Sequence, residues 1–187
     1  MEETNPASIL QQISKFEEEK FPPVHLWNPP LCENVEMKID RNGRWYFMNS
    51  PIGRERMVKL FSKVLRLDKD GEYYLVTPVE KIRIEVEVRP FVIIDFQVFG
   101  KIEDQVISFE TNTGDNFILD NDHPITVEIN PETKEPKPCV LVRSNLEALI
   151  SRNIYYKLIE ISQLLKISSQ EVFILRSKSK DFEIGYL

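Results

Sequence analysis

The sequence predicts an α+β chain of two small modules, each of mainly antiparallel strands with one packed helix, preceded by an N-terminal helix. Two observations carry this. Short apolar–polar alternations of period two fill most of the chain, and three segments instead repeat their apolar residues at helical spacing. Clusters of Gly, Asn, Asp and Pro punctuate the order, which reads as strands followed by a helix, twice.

Thr4-Asn5-Pro6 reads as a helix cap with proline at the first helical position, and Ile9, Leu10, Ile13 and Phe16 continue the apolar stripe to about Lys20. Residues 21–30 hold four prolines, which forbids a helix and a regular central strand, so the segment is an extended connector. Leu26 and Trp27 imply that it packs against something. Val35, Met37 and Ile39 alternate with Glu36 and Lys38, Asp40–Gly43 supplies a turn, and Trp45–Met48 returns as a hairpin. After the break at Ser50–Gly53, a helix runs from Arg54 to about Arg66. Its apolar face is Met57, Val58, Phe61, Val64 and Leu65, and its basic stripe is Arg56, Lys59, Lys63 and Arg66.

Asp68–Gly71 turns into a strand at 72–76. Lys81–Val88 alternates strictly, with one buried and one wet face. Pro90 interrupts, and strands follow at 91–99, 105–111, 116–119, 125–129 and 139–143, with Asn112–Asp115 a turn and Asn130–Pro138 a surface loop. A helix capped by Ser144 or Asn145 is predicted to reach Leu165 on the stripe Leu146, Leu149, Ile150, Ile154, Leu158, Ile161 and Leu165. Strands at 172–175 and 182–186 close the chain. The modules are thus 21–86 and 87–187, divided near residues 85–90, with residues 1–20 as a leading helix. Both halves share a strand–turn–strand–helix order with little residue identity.

Composition excludes several classes. With 187 residues, 42% hydrophobic and 10% aromatic, the chain has enough apolar surface to form a core. A formal charge of -6 repels a phosphate backbone, so DNA is not an expected partner. Cys32 and Cys139 are too few for a disulfide framework and read as reduced thiols of a cytosolic protein. The acidic start and the lack of any long apolar run predict a cytoplasmic, soluble chain with no membrane partner.

Chemistry-bearing motifs are sparse. No GxSxG, GxGxxG or Walker sequence occurs, and the histidines, His25 and His123, sit in no nucleophile motif. With the cysteines they make no metal-ligand spacing, so neither a metal nor a cofactor is expected, and the protein reads as non-enzymatic. His25 suits packing and hydrogen bonding, and His123 a turn. The consecutive aromatics Trp45, Tyr46 and Phe47 point to alternate faces and read as core and interface rather than a nucleic-acid platform.

Several longer strings resemble a known family. Pro22–Pro30, Ser50–Arg54 with Leu60–Arg66, Tyr73–Lys81, Thr111–Asp115, His123-Pro124, and Val142-Arg143 with Leu146–Ile150 are similar to the bacterial family catalogued as domain of unknown function 1285, from about residue 21 to 165. The resemblance implies two related modules, a C-terminal one superficially like a pleckstrin-homology fold, a nucleotide-like ligand at their interface, and a role in signal transduction.

Residue chemistry is compatible with such a ligand. Trp27 is suited to stack on a base, Asn28, Asn112 and Asp115 to hydrogen-bond, and Arg54, Lys81 and Arg143 to hold phosphate. Arg54 also opens a helix, where unpaired N–H groups attract anions. Each of these residues has an ordinary structural role as its alternative. The expected function is a regulatory protein binding an anionic, nucleotide-like small molecule, with a signalling protein as possible partner. The competing expectation is a protein-interaction adaptor that uses an exposed strand edge or helix face and no small ligand.

Overall fold

The computed structural model describes residues 6–14, 21–167 and 169–186. The chain divides into two compact units, Met1–Val88 and Arg89–Leu187.

In the first unit, α1 (Pro6–Ile13) and α2 (Glu55–Lys63) lie against each other. The rest of the predicted first helix falls largely outside the described residues. The connector carries a 3-10 turn at Val24–Leu26 and then enters the sheet. Six strands form that sheet: β1 (Leu31–Ile39), β2 (Trp45–Phe47), β3 (Ser50–Pro51), β4 (Leu65–Leu67), β5 (Tyr73–Val76) and β6 (Lys81–Val86). Their order is β3-β2-β1-β6-β5-β4, antiparallel except for β1 and β6. Alternation sends Met37, Ile39, Trp45, Leu65, Leu75, Ile82 and Ile84 to one buried face. There they share the core with Leu60, Phe61 and Val64 at α2 and Ile9 and Ile13 of α1, and the Trp45 and Phe61 rings lie 6.2 Å apart. The opposite face carries Lys38, Tyr46, Arg66, Tyr74, Lys81, Arg83 and Glu85.

The second unit contains β7 (Phe91–Phe99), β8 (Val106–Thr111), β9 (Asn116–Ile118), β10 (Ile125–Ile129), β11 (Pro136–Arg143) and β12 (Leu146–Ile150). Their order is β10-β11-β12-β7-β8-β9, with β12 and β7 parallel. Adding six to each strand number of the first sheet reproduces this order, so the topology is duplicated. The helices break the repeat. In the first unit α2 joins β3 to β4, whereas in the second α3 (Arg152–Ile161) follows β12. Three further strands, β13 (Gln163–Ile167), β14 (Gln170–Ser177) and β15 (Lys180–Tyr186), form a separate antiparallel sheet. Its buried Val172, Ile174, Leu175 and Ile184 and the α3 residues Ile154, Tyr155 and Leu158 belong to the core of this unit. The Tyr155 hydroxyl donates to the Ile184 carbonyl at 2.6 Å, and a Cβ at Gly185 would lie 2.7 Å from that hydroxyl. A side chain at 185 would have to push that hydroxyl aside.

Three expectations are corrected. The helix predicted from Ser144 or Asn145 to Leu165 is instead strand, helix and strand. Leu146, Ala148 and Ile150 alternate inward because β12 is paired on both edges, by β11 and β7, and tertiary pairing overrides the helical period. Arg66 leaves the basic stripe of α2, since the helix stops at Lys63 and Arg66 belongs to β4. The loop at 130–138 is shorter than expected, because Pro136 and Pro138 already lie in β11 opposite Ile129 and Val127.

Candidate functional site

In the second unit, β8 ends in the turn Thr111–Asp115. Gly114 takes φ +86, a value glycine adopts without strain, and the Thr111 N–H donates to the Asp115 carbonyl at 2.9 Å. The turn is laced by side chains. The Thr111 hydroxyl accepts the Asp115 N–H at 3.0 Å, and Thr113 donates its hydroxyl to Asp115 Oδ2, also at 3.0 Å. Asn112 binds back to β7, its Oδ1 accepting the Val92 N–H and its own N–H donating to the Val92 carbonyl, both at 2.9 Å.

Arg143, at the end of β11, completes the cluster. Its Nη1 donates to Asp115 Oδ2 at 2.9 Å, and its guanidinium carbon lies 4.7 Å from the centre of the Phe91 ring. The Arg143 side chain is 12% exposed and that of Asp115 21%, so both reach the surface from a largely desolvated seat. Burial lowers the Arg143 pKa, opposed by the Asp115 charge, but an arginine so placed stays cationic at neutral pH. The structure therefore brings Asn112, Asp115 and Arg143 into one network. Sequence reasoning did not assign site roles to Thr111, Thr113 and Phe91. The two-residue spacing of Thr111, Thr113 and Asp115 was the available signal.

Of the N-terminal candidates, Trp27 and Lys81 belong to a network of their own. Arg66 pairs with Asp68 and donates through Nη1 to the carbonyls of Val24, at 2.7 Å, and Trp27, at 2.8 Å. Lys81 donates to Asp68 Oδ2 at 3.1 Å and lies 4.0 Å from the centre of the Tyr74 ring. This tie fixes the connector through its backbone, while Leu26 remains 72% exposed. Trp27 is half-buried, Asn28 is exposed, and Arg54 is exposed at the N-cap of α2. Arg66 and Asp68 join Trp27 to Lys81, and neither had been assigned a site role.

A groove of about 1130 Å³ crosses the outer face of the first sheet. Its lining includes Glu33, Glu36, Asp40, Glu72, Glu85 and Glu87 against Lys38, Arg41 and Arg83, and these three cations are ion-paired to Glu87, Glu85 or Glu72. None of the predicted ligand-binding residues lines it, and its charge disfavours an anion.

His123 Nδ1 lies 3.0 Å from the Leu141 carbonyl oxygen, with its ring 4.7 Å from Phe117, and His25 is exposed. Cys139 is fully buried and its thiol is pushed up to about 11, which suppresses the reactive thiolate. Among the described residues no group of three or more His, Cys, Asp or Glu is placed to hold a metal ion. No described helix is long and apolar enough to cross a membrane.

Fold and cluster together define a two-unit, strand-rich α+β protein with a duplicated sheet topology and an aromatic-backed arginine held by a threonine–aspartate turn. The chain belongs to the DUF1285 family: residues 22–88 match its N-terminal domain of unknown function and residues 90–184 its C-terminal domain. A DUF1285 family protein of known structure from Silicibacter pomeroyi DSS-3 is 39% identical, with a TM-score of 0.82 over 96% of this chain and 93% of that one. A second, from Shewanella baltica OS155, shares the fold at 24% identity and a TM-score of 0.54, over 69% of this chain and 94% of that one. No curated protein matches the chain.

Proposed function

We propose that the protein is a non-enzymatic regulatory protein that binds an anionic, nucleotide-like ligand, with Arg143 and the turn Thr111–Asp115 as its anchor. One observation carries this reading: a largely desolvated arginine, its guanidinium carbon 4.7 Å from the centre of the Phe91 ring, is paired with the Asp115 carboxylate near the surface. A phosphate brings more charge and more acceptor oxygens than that carboxylate and competes for the guanidinium. Asp115, once displaced, accepts a sugar hydroxyl or a base amino group, and the Thr113 hydroxyl turns to the phosphate. The site then exchanges an internal anion for an external one without charging a buried cation afresh.

The finer expectations belong to the same proposal. A curled sheet followed by the amphipathic α3 supports a pleckstrin-homology-like description of the second unit, and a cytoplasmic signalling role fits a binding protein of this kind. Thermal unfolding against pyrophosphate, nucleoside diphosphates and dinucleotides tests it. A ligand at about 100 times its dissociation constant stabilises by roughly 2.7 kcal/mol. That gain must vanish in Arg143→Ala. No stabilisation by any of the anions, or the same stabilisation in Arg143→Ala, overturns the proposal.

A further inference from the structure

The groove on the outer face of the first sheet carries an uncompensated negative charge. Six of its lining side chains are carboxylates and three are cations, and each cation is already used within the face: Lys38 by Glu85 and Glu87, Arg41 by Glu87, and Arg83 by Glu72. The register shows where the excess collects. Strands β1 and β6 pair at Cys32 with Ile82 and next at Met37 with Ile84, so the bulge Glu33–Glu36 stands against Arg83 alone. Arg83 is the cation this register sets beside the bulge, yet its guanidinium turns to Glu72, at 3.0 Å from Nε and 2.8 Å from Nη2. Among the described residues the exposed Glu33 and Glu36 therefore meet no cation, and Glu36 accepts from the neutral Asn49 amide at 3.3 Å. The groove is also large: its volume of about 1130 Å³ exceeds the roughly 300–1,000 Å³ of small-molecule pockets. The half-buried Tyr46 and Tyr73 in its lining give apolar surface to the stems of long cationic side chains.

We propose that this groove docks an extended, basic segment of another protein, with lysine or arginine at every second residue. Charge complementarity selects the sign of the occupant, and the volume selects a polypeptide over a metabolite. A segment dense in like charge extends by self-repulsion, and in an extended chain a period of two puts every cation on the side that meets the sheet. Cations arriving at Glu33 and Glu36 supply what the bulge lacks, and no existing ion pair has to break. The contacts are exposed at the rim and are weak and salt-sensitive for that reason. The groove shares no residue with the anchor proposed at Arg143, so each proposal stands or falls alone.

Fluorescence anisotropy of a labelled, capped peptide of about ten alternating Lys and Thr residues, titrated with the full chain, tests this. The wild type is expected to bind with a Kd of about ten to a hundred micromolar in low salt and at least about tenfold more weakly near 0.5 M salt. The double variant Glu33→Gln with Glu36→Gln is expected to weaken binding at least about fivefold. Glu132→Gln with Glu160→Gln removes the same charge from exposed positions of the second unit and is expected to stay within about twofold of wild type. Unlabelled spermidine is expected to displace the peptide only at concentrations at least about tenfold above those of unlabelled peptide, since it fills little of the groove. No binding to the wild type, equal weakening by the two double variants, or displacement by spermidine as effective as by the peptide overturns the proposal.

Discussion

Asp115→Ala separates an anion site from a merely structural ion pair. The substitution removes the carboxylate that accepts from Arg143 at 2.9 Å and from Thr113 at 3.0 Å. Breaking a fully buried pair costs about 3–5 kcal/mol because it strands a charge. Here the partners keep 12% and 21% exposure, so water and salt screen the remaining guanidinium and the loss falls to roughly 2 kcal/mol. For a unit of this size that is a fall in Tm of about 8–16 °C. If a phosphate takes the place of Asp115, inorganic phosphate must restore part of the loss. Calorimetric melts of wild type, Asp115→Ala and the double variant with Arg143→Ala, in phosphate and in chloride at matched ionic strength, measure it. Phosphate is expected to raise Tm most in Asp115→Ala and not at all, relative to chloride, in the double variant. A rise of equal size in all three would mean that phosphate acts as a general stabilising salt, and the reasoning about Arg143 would fail.

Three further outcomes follow from the geometry. Ser177 is fully buried and its hydroxyl oxygen accepts the Ile107 N–H at 3.0 Å. Ser177→Ala should therefore cost about 1–3 kcal/mol in urea unfolding and speed exchange of the Ile107 amide, and an unchanged midpoint would refute that role. Burial alone would raise the Asp68 pKa, but hydrogen bonds and charges from Arg66 and Lys81 outweigh it and hold it below its ordinary 3.8. A depressed folded pKa gives stability that is present above the unfolded value and lost as pH falls through the folded one. Asp68→Asn should accordingly lower the urea midpoint at pH 7 and flatten its decline below about pH 4, whereas parallel curves would contradict the assignment. Under native conditions at pH 8 a thiol reagent should label Cys32, which is half-buried, and spare Cys139, whose thiol is pushed up to about 11, until urea is added; rapid native labelling of both refutes this.

The strands are most legible where alternation in sequence has no competing helical stripe. Lys81–Val86 and Val106–Thr111 alternate in sequence as they do in burial, so period two alone located them. Residues 146–165 misled because Leu146, Leu149, Ile150 and Ile154 satisfy a helical stripe while Leu146, Ala148 and Ile150 also satisfy a strand. The choice was made by parallel pairing with β7 more than fifty residues away, which no local window contains. Two-module organisation was readable from order alone. The repeated strand order was not, since it resides in hydrogen-bonded neighbours, and the helices that sequence reasoning took as its markers are the elements that differ.

The site residues show a sharper limit. A lysine or arginine in a sequence advertises positive charge, but its capacity for an external anion depends on which carboxylate the fold sets beside it. Lys81 and Arg66 share Asp68, and Arg66 also holds the carbonyls of Val24 and Trp27. Releasing Arg66 to a ligand would therefore also loosen the connector, and releasing Lys81 would take one of the two cations from Asp68. Arg143 pairs with Asp115 on a turn whose shape is set by Gly114 and by the two hydrogen bonds between Asn112 and Val92, one to the backbone and one to the Asn112 side chain. Neither of these bonds uses that carboxylate. Of the two networks, the second can trade its internal anion without freeing a backbone segment that its cation holds, and this difference, which neither charge nor spacing encodes, favours Arg143 over the Arg66–Asp68–Lys81 network as the proposed anchor.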